Sequence, residues 1–251
     1  MCVKIICTDI QAAESLKKFF DVKSINGIKT DFLSATEKTS DAEIKNFISD
    51  TFWLFVVADV ESVKLAKKIE TLANCLVTNI FSCLAADELK IIELEKNFGT
   101  VIILPEDKIS ETNFEKNKLV SEIITMSVNL IQDICSEQTA LCGLDFFEIQ
   151  DLMKNSGRAY IGIGEGFGEN APSKAIKNAL KFPLMMDIKN TKGILVDFVG
   201  GIEDINMIEI HEAINFVEEN AHEDSEILWQ VNAVEEINND LIKSLVIATK
   251  F

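Results

Sequence analysis

The first 105 residues alternate short, continuously apolar runs with segments of helical periodicity. The apolar runs cover residues 3–7, 52–58, 75–81 and 101–104, and Pro105 ends the last of them. A strand that is apolar throughout is buried on both faces, which is typical of parallel strands covered by helices on each side. The pattern therefore predicts an α/β unit built on a parallel sheet.

The rest of the chain predicts a long helix followed by a second unit. Residues 113–136 have helical periodicity with apolar side chains on several sides, which indicates a helix buried between other layers. Beyond it, strands are predicted at 159–164, 193–199, 226–231 and 244–248, with a helix capped by Asp204. We predict domains at 1–112 and 138–251, joined by a central helix at 113–137.

Glycine is distributed very unevenly along the chain. Only Gly27 and Gly99 of the 11 glycines precede residue 143. A loop that binds phosphate needs glycines, because its backbone must approach the phosphate closely and often adopts positive φ. The first half therefore has the pattern of a nucleotide-binding fold without a phosphate-binding loop.

Charge and composition exclude several classes of function. The net charge of −17 disfavours nucleic acids and anionic membranes as partners. The six cysteines have no C-x-x-C spacing, and His211 and His222 have no cysteines at zinc-binding distances in sequence, so we expect no metal site. No apolar run reaches the length of a membrane span, and we expect a cytoplasmic protein.

Four segments of the second half resemble FtsZ, the prokaryotic homologue of tubulin. Residues 144–148 (LDFFE) resemble the synergy loop, N-x-D-[FL]-x-[DE], and residues 157–164 (GRAYIGIG) resemble the strand that follows it. Residues 193–201 (GILVDFVGG) resemble the strand G-[IV]-L-V-N-I-[TS]-G-G, and residues 245–251 (LVIATKF) resemble the closing strand V-T-V-I-A-T-G-F. Their order and spacing agree with the family over about 110 residues.

This resemblance implies an α/β fold of the two-domain tubulin/FtsZ type. It consists of a reduced, Rossmann-like N-terminal parallel sheet, a long central helix and a C-terminal α+β domain. In the first half, residues 101–108 (VIILPEDK) resemble a family strand, and residues 55–58 lie where the family has the strand before its G-G-G-T-G-[TS]-G loop. Here Asp59 and Glu61 follow that strand instead of glycines. Carboxylates would repel a triphosphate, so we expect that GTP and Mg²⁺ binding are lost and that the chain has no cofactor.

The synergy-loop resemblance also implies a set of candidate site residues. In the family, acids of this loop act on the GTP of the neighbouring subunit, and Asp145 and Glu148 match them in type and spacing. Gly143, Leu144 and Phe147 are then expected at the interface, although Gly143 replaces the family's asparagine. A second interpretation is that Asp145 and Glu148 only complement the dipole at a helix N-terminus. The sequence does not decide which of the two adjacent phenylalanines is buried.

A second group of glycines, Gly162, Gly164, Gly166 and Gly168, has two interpretations. It could form a new phosphate site or a tight turn from a strand into a helix. Glu165 and Glu169 lie in this segment and Lys174 is the nearest cation, so the sequence favours the tight turn.

Three functions remain open from the sequence. The first is an FtsZ-like pseudo-GTPase that associates with or caps FtsZ-type polymers through longitudinal contacts and so modulates cell-division filaments. The second is a nucleotide-independent scaffold that self-associates through the same contacts, and the third is a divergent polymerising GTPase with a rebuilt pocket. The GTPase, which is the enzyme among these three functions, is the least favoured. Because the sequence ends at Phe251, where the family's globular part ends, we expect no tail for membrane anchors and no direct membrane binding.

Overall fold

The chain divides into two compact units. The structure, a computed structural model, describes residues 2–8, 10–21, 29–83, 88–135, 140–142, 144–154, 156–234 and 240–250. The first unit consists of Met1–Gln132 with Met153–Arg158, and the second of Asp133–Leu152 with Ala159–Phe251.

The first unit has the predicted alternation of strands and helices. Its strands are β1 (Cys2–Cys7), β2 (Lys29–Ser34), β3 (Trp53–Asp59), β4 (Leu76–Cys83) and β5 (Thr100–Pro105). Its helices are α1 (Ile10–Asp21), α2 (Asp41–Ile48), α3 (Val63–Leu72), α4 (Glu88–Asn97), α5 (Glu106–Ser110) and most of α6 (Lys116–Cys135). The strands pair in the order β2-β1-β3-β4-β5, and every pair is parallel. This confirms the predicted parallel sheet and the long helix.

Strand β3 shows why its continuous apolar run predicts burial on both faces. Leu54 and Val56 belong to a core that also contains buried residues of α2, α3 and α4. Trp53 and Phe55 point to the opposite face, where their rings stack with centroids 5.0 Å apart. Successive residues of a strand point to opposite faces, so only an unbroken apolar run can serve both.

Two elements of the first unit are absent from the sequence prediction. Strand β2 (KTDFLS) is polar and its side chains are half-buried where described, because it pairs on one side only, with β1. Helix α5 is a single short turn that begins directly after Pro105. Polar sequence and short length leave neither element a periodic signal.

The second unit is a mixed sheet with helices. It contains β6 (Ala140–Cys142), α7 (Phe146–Met153), β7 (Gly157–Phe167), α8 (Ala171–Leu180), β8 (Thr191–Gly200), α9 (Met207–Asn220), β9 (Glu226–Ala233) and β10 (Leu241–Lys250). Strand β10 lies between β7 and β8 and is antiparallel to both, β9 is parallel to β8, and β6 is antiparallel to β9. Helices α8 and α9 pack on one face over Ile194, Val196 and Phe198 of β8.

The connection from β7 to α8 is tight, as the sequence favours, but Gly162, Gly164 and Gly166 lie in the strand and not in the turn. Strand β7 continues to Phe167, and a Cβ placed on Gly162, Gly164 or Gly166 would lie 2.0–2.2 Å from a backbone carbonyl oxygen of α8. These carbonyls belong to alanines four residues apart on the helix. Glycines at every second position of the strand therefore let α8 pack directly on the backbone of β7. Only Gly168, with φ of +66°, lies in the turn itself.

The start of α9 also differs from the sequence prediction. Its N-cap is Asn206, whose side chain accepts a hydrogen bond from the N–H of Ile208 at 3.0 Å. Asp204 lies in the preceding turn, where its N–H donates to the carbonyl of Gly201. Asparagine and aspartate are about equally good caps, so the residue type alone could not choose between two positions so close together.

Candidate functional site

The first candidate site lies at the carboxyl edge of the parallel sheet in the first unit. The chain passes from β1 to β2 on one side and returns to β3 on the other side of β1, so the strand order reverses between β1 and β3. Ligands of open α/β sheets bind in the crevice at such a point, beyond the carboxyl ends of the strands. Thr8, which follows β1, and Asp59, the last residue of β3, therefore decide what this edge can bind.

Asp59 forms an intramolecular cap at this edge. Its Oδ1 accepts hydrogen bonds from the backbone N–H groups of Glu61 at 3.0 Å and Ser62 at 2.9 Å. The residues Val60–Ser62 form a short 3-10 turn that leads directly into α3. Backbone N–H groups at the start of a helix are the donors that a bound phosphate would use. At the end of β3 both of these donors already hold a carboxylate oxygen.

The surroundings of this cap are also unsuited to a triphosphate. Val60 and Val63 are partly buried against the core of the unit, so the turn carries packed side chains where a phosphate loop carries glycines. Glu61 is exposed at the same edge, and Glu106 and Asp107 are exposed directly after β5. The described residues of this edge therefore do not fit GTP, because they offer carboxylates where a nucleotide needs N–H donors and cations.

Sequence reasoning expected Asp59 to repel a nucleotide but missed its structural role. An aspartate two or three residues before a helix, with serine following, is a capping signal that could have revealed the hydrogen bonds. Of the residues that follow β1 at this edge, Asp9 lies outside the described residues.

The second candidate site is the start of α7 in the second unit. Asp145 precedes the helix, and its Oδ1 accepts the N–H of Phe147 at 3.0 Å. The N–H of Asp145 donates in return to Oε2 of Glu148 at 2.8 Å. This reciprocal pair is a capping box, so the two carboxylates do complement the helix N-terminus as the second interpretation proposed.

The cap also fixes where the remaining oxygens of these carboxylates lie. Oδ2 of Asp145 and Oε1 of Glu148 accept no hydrogen bond from the residues that the structure describes. Both side chains are exposed. Capping therefore leaves one oxygen of each carboxylate directed to solvent, at a position that the helix holds in place.

The structure assigns the two adjacent phenylalanines. Phe146 is 3% exposed and belongs to the core, whereas Phe147 is 67% exposed. Asp151, one turn after Glu148, is exposed as well, and sequence reasoning missed it. We call Asp145, Phe147, Glu148 and Asp151 the α7 patch.

Two predicted interface residues have different outcomes. Leu144 is half-buried beside the α7 patch, and Gly143 lies outside the described residues. Contact with another subunit stays a prediction for Asp145, Glu148, Leu144 and Phe147.

Metal ions and membranes have no evident site in the described part of the chain. No group of three or more histidine, cysteine, aspartate or glutamate side chains lies close enough there to hold a metal ion. Among those same residues, no helix has the length and apolar character needed to cross a membrane.

Comparison of the sequence with known proteins finds FtsZ, both as a protein family and as individual relatives. Residues 157–251 match the FtsZ family, C-terminal domain. The cell division protein FtsZ of Methanothermobacter thermautotrophicus is 31% identical over 74% of the chain, and FtsZ 1 of Thermococcus kodakarensis is 28% identical over 84%. The chain covers only 51% and 61% of these two relatives.

Solved structures of this fold cover nearly the whole chain. A point mutant of FtsZ from M. jannaschii has a TM-score of 0.78 at 20% identity, and the match covers 99% of this chain and 90% of that FtsZ chain. A protofilament of GTPγS-bound CetZ2 from Haloferax volcanii has a TM-score of 0.74 at 13% identity, with coverage of 99% and 92%. The predicted fold is thereby confirmed.

Proposed function

Because this chain belongs to the FtsZ/tubulin superfamily, we propose that it is an FtsZ-like pseudo-GTPase that does not bind GTP and associates with, or caps, FtsZ-type polymers. The observation that carries the proposal is the Asp59 cap. Its carboxylate holds the two N–H groups that a phosphate would use at the end of β3. A nucleotide would have to displace this carboxylate and also pass Glu61, which bears the same sign of charge.

The α7 patch supports a remaining role at a polymer end. Asp145 and Glu148 are held by the capping box, so their free oxygens reach a partner already oriented. Phe147 adds an exposed aromatic side chain between them, of the kind that often anchors protein interfaces. A subunit that presents this patch but carries no nucleotide would join a filament and offer no GTP to the next subunit. Growth at that end would stop.

Calorimetric titration of nucleotide-stripped protein with GTP and with GDP, in the presence of magnesium, is the first test. No binding at high micromolar nucleotide supports the pseudo-GTPase, because a competent site binds much more tightly. Submicromolar binding would refute it and would favour a divergent polymerising GTPase. The second test is the assembly of an FtsZ, such as that of M. thermautotrophicus, followed by light scattering with this protein at substoichiometric amounts.

Variants of the α7 patch separate capping of the helix from contact with a partner. Asp145→Asn with Glu148→Gln keeps side-chain oxygens that can form the capping box but removes both charges. We expect this variant to fold like the wild type and to lose its effect on FtsZ assembly and GTP hydrolysis. The control removes two exposed acids elsewhere in the second unit, Asp187→Asn with Glu203→Gln. An unchanged effect of the first variant would rule out the acid role.

A second candidate is a scaffold that assembles without nucleotide. It is favoured by the solved neighbours, which include an FtsZ dimer described as empty, with a TM-score of 0.77. Light scattering of this protein alone, without nucleotide or partner, tests it. Assembly under these conditions that Phe147→Ser abolishes would favour the scaffold over the capping role.

A further inference from the structure

Strand β9 is covered along only part of its outer side. Its inner side pairs with β8 over the whole length of the strand, whereas β6 pairs with its outer side only at Val231 and Asn232. Among the described residues, no strand lies beyond residues 226–230 on that side. An uncovered strand leaves alternate backbone N–H and C=O groups without partners in the sheet. We call residues 226–230 the open edge of β9.

The side chains of this open edge are mostly apolar. Ile227 and Trp229 are half-buried against the core beneath α8 and α9, and the ring of Trp229 contacts that of His211 with centroids 5.3 Å apart. Leu228 is half-buried on the opposite face of the strand, and Glu226 is the only charged residue. Natural edge strands are usually protected by charges, proline or a bulge. An apolar edge with so little protection is suited to pairing with another strand.

A second copy of the same edge fits this stretch in one register. Two copies related by a two-fold axis perpendicular to the sheet pair antiparallel, and residues directly opposite each other then point to the same face. The axis must therefore pass through a residue. With Leu228 on the axis, all five residues of the open edge pair. An axis at Trp229 would place Ile227 opposite Val231, which β6 already covers, and an axis at Ile227 would pair only three residues of the open edge.

The register centred on Leu228 also matches the side chains. Leu228 lies opposite its own copy, and each Ile227 lies opposite a Trp229, so apolar groups cover each other on both faces. Glu226 lies opposite Gln230, so no two like charges are opposed. The second strand would be antiparallel to β9, as β6 is, and would therefore continue the same type of hydrogen-bonded ladder.

We propose that the open edge of β9 pairs with the open edge of a second copy of this chain, across a two-fold axis at Leu228. A contact of this symmetry uses the same surface on both copies, so it closes at two copies and forms no filament. The ladder is short, so self-association should be in the micromolar range or weaker. The net charge of −17 on each copy opposes it, and added salt should therefore strengthen it. The proposal goes beyond the capping function and does not depend on the α7 patch.

Sedimentation velocity of the full chain at increasing concentration tests the proposal. The wild type should change from monomer to dimer. Leu228→Lys should weaken dimerisation about tenfold, because it removes a leucine pair and places two like charges opposite each other, and Leu228→Glu should do the same. An equimolar mixture of the two variants should recover dimers, because opposite charges then meet on the axis. This recovery also shows that both variants are folded. The control is Leu89→Lys, at an exposed leucine of the first unit.

The other outcomes would each overturn the proposal. A monomer at all concentrations would remove the interface, and weaker association in added salt would mean that ion pairs hold the copies together. Equal weakening by Leu89→Lys, or a mixture that stays monomeric, would show that Leu228 does not lie on the axis. Dimers that are lost in Phe147→Ser and kept in Leu228→Lys would assign the contact to the α7 patch. Assembly beyond the dimer that Leu228→Lys abolishes would identify an open, head-to-tail contact.

Discussion

Replacing Asp59 by alanine tests the feature on which the proposed loss of GTP binding depends. The carboxylate accepts two backbone N–H groups, at 3.0 and 2.9 Å, and no other side chain among the described residues caps the turn. Loss of a helix cap costs about 0.5–2 kcal/mol. Because two donors lose their acceptor here, we expect Asp59→Ala to lower the free energy of unfolding of the first unit by about 1–2 kcal/mol.

Asp59→Asn separates the hydrogen bonds from the charge. The asparagine side chain has an oxygen in the same place and caps helices about as well as aspartate. It loses only the attraction between a negative charge and the helix dipole, which is about 0.3–1 kcal/mol. We therefore expect Asp59→Asn to be clearly more stable than Asp59→Ala.

Urea unfolding followed by tryptophan fluorescence measures both variants. The chain has two tryptophans, and Trp53 lies in β3, the strand that ends at Asp59. Measuring in a Trp229→Phe background makes the signal report on the first unit alone. Hydrogen exchange adds a local readout, since the amides of Glu61 and Ser62 should exchange faster in Asp59→Ala.

The control is a cap of the same kind in the second unit. Oδ1 of Asp187 accepts the N–H of Lys189 at 3.0 Å at the start of another 3-10 turn. Asp187→Ala should accelerate exchange of Lys189 and leave the amides of Glu61 and Ser62 unchanged. The reasoning would be refuted if Asp59→Ala left the stability and both amides as in the wild type.

Three other predictions follow from contacts in the structure. Gly164→Ala would place a Cβ 2.0 Å from the carbonyl oxygen of Ala175, a backbone atom that cannot rotate away. Urea unfolding should therefore show that the free energy of unfolding falls by about 3 kcal/mol or more. The control, Gly168→Ala, should lower it less, because its Cβ meets open space. Glu70→Gln, which replaces an acceptor of three hydrogen bonds, should lower the free energy of unfolding by about 1–3 kcal/mol, and an unchanged urea midpoint would contradict this. Burial raises the pKa of the Cys75 thiol to about 11. Folded Cys75 should therefore react far more slowly with iodoacetamide at pH 8 than unfolded Cys75. Equal rates of alkylation, measured by mass spectrometry, would contradict this.

The same pKa shift predicts how stability depends on pH. The unfolded thiol has its ordinary pKa, near 9, and releases its proton before the folded thiol does. Stability from Cys75 is therefore fully present below about pH 8.5 and falls as the pH rises toward 11. Cys75→Ser should remove this part of the alkaline loss in urea unfolding measured against pH, and an unchanged profile would contradict the assignment.

Much of the fold could be predicted because its signals are local. An unbroken apolar run such as that of β3 requires burial on both faces, and this is enough to predict a parallel sheet. Ser40 and Glu43 have the spacing of a capping box, and at the start of α2 the N–H of Glu43 does donate to Ser40 Oγ at 3.2 Å. Strand β2 was not predicted, because an edge strand needs fewer apolar residues than a central strand and so lacks the unbroken apolar run.

The residues of the candidate sites could be predicted from the sequence only in part. The loss of glycines after β3 and the positions of Asp145 and Glu148 were evident from residue types and spacing. Asp59 as a cap was missed, because only the repulsion between its charge and a nucleotide was considered, although an aspartate shortly before a helix is also a capping signal.

By itself, the sequence determined the alternation of the apolar strands with helices, the relation to FtsZ and the absence of a glycine-rich phosphate loop in the first half. These depend on residue types at fixed spacings along the chain. Only the tertiary structure decided that Phe146 is buried while Phe147 is exposed, and that the glycines of β7 serve contact with α8. The reason is physical: identical residues acquire different roles from the elements that pack against them, and that packing joins segments far apart in sequence.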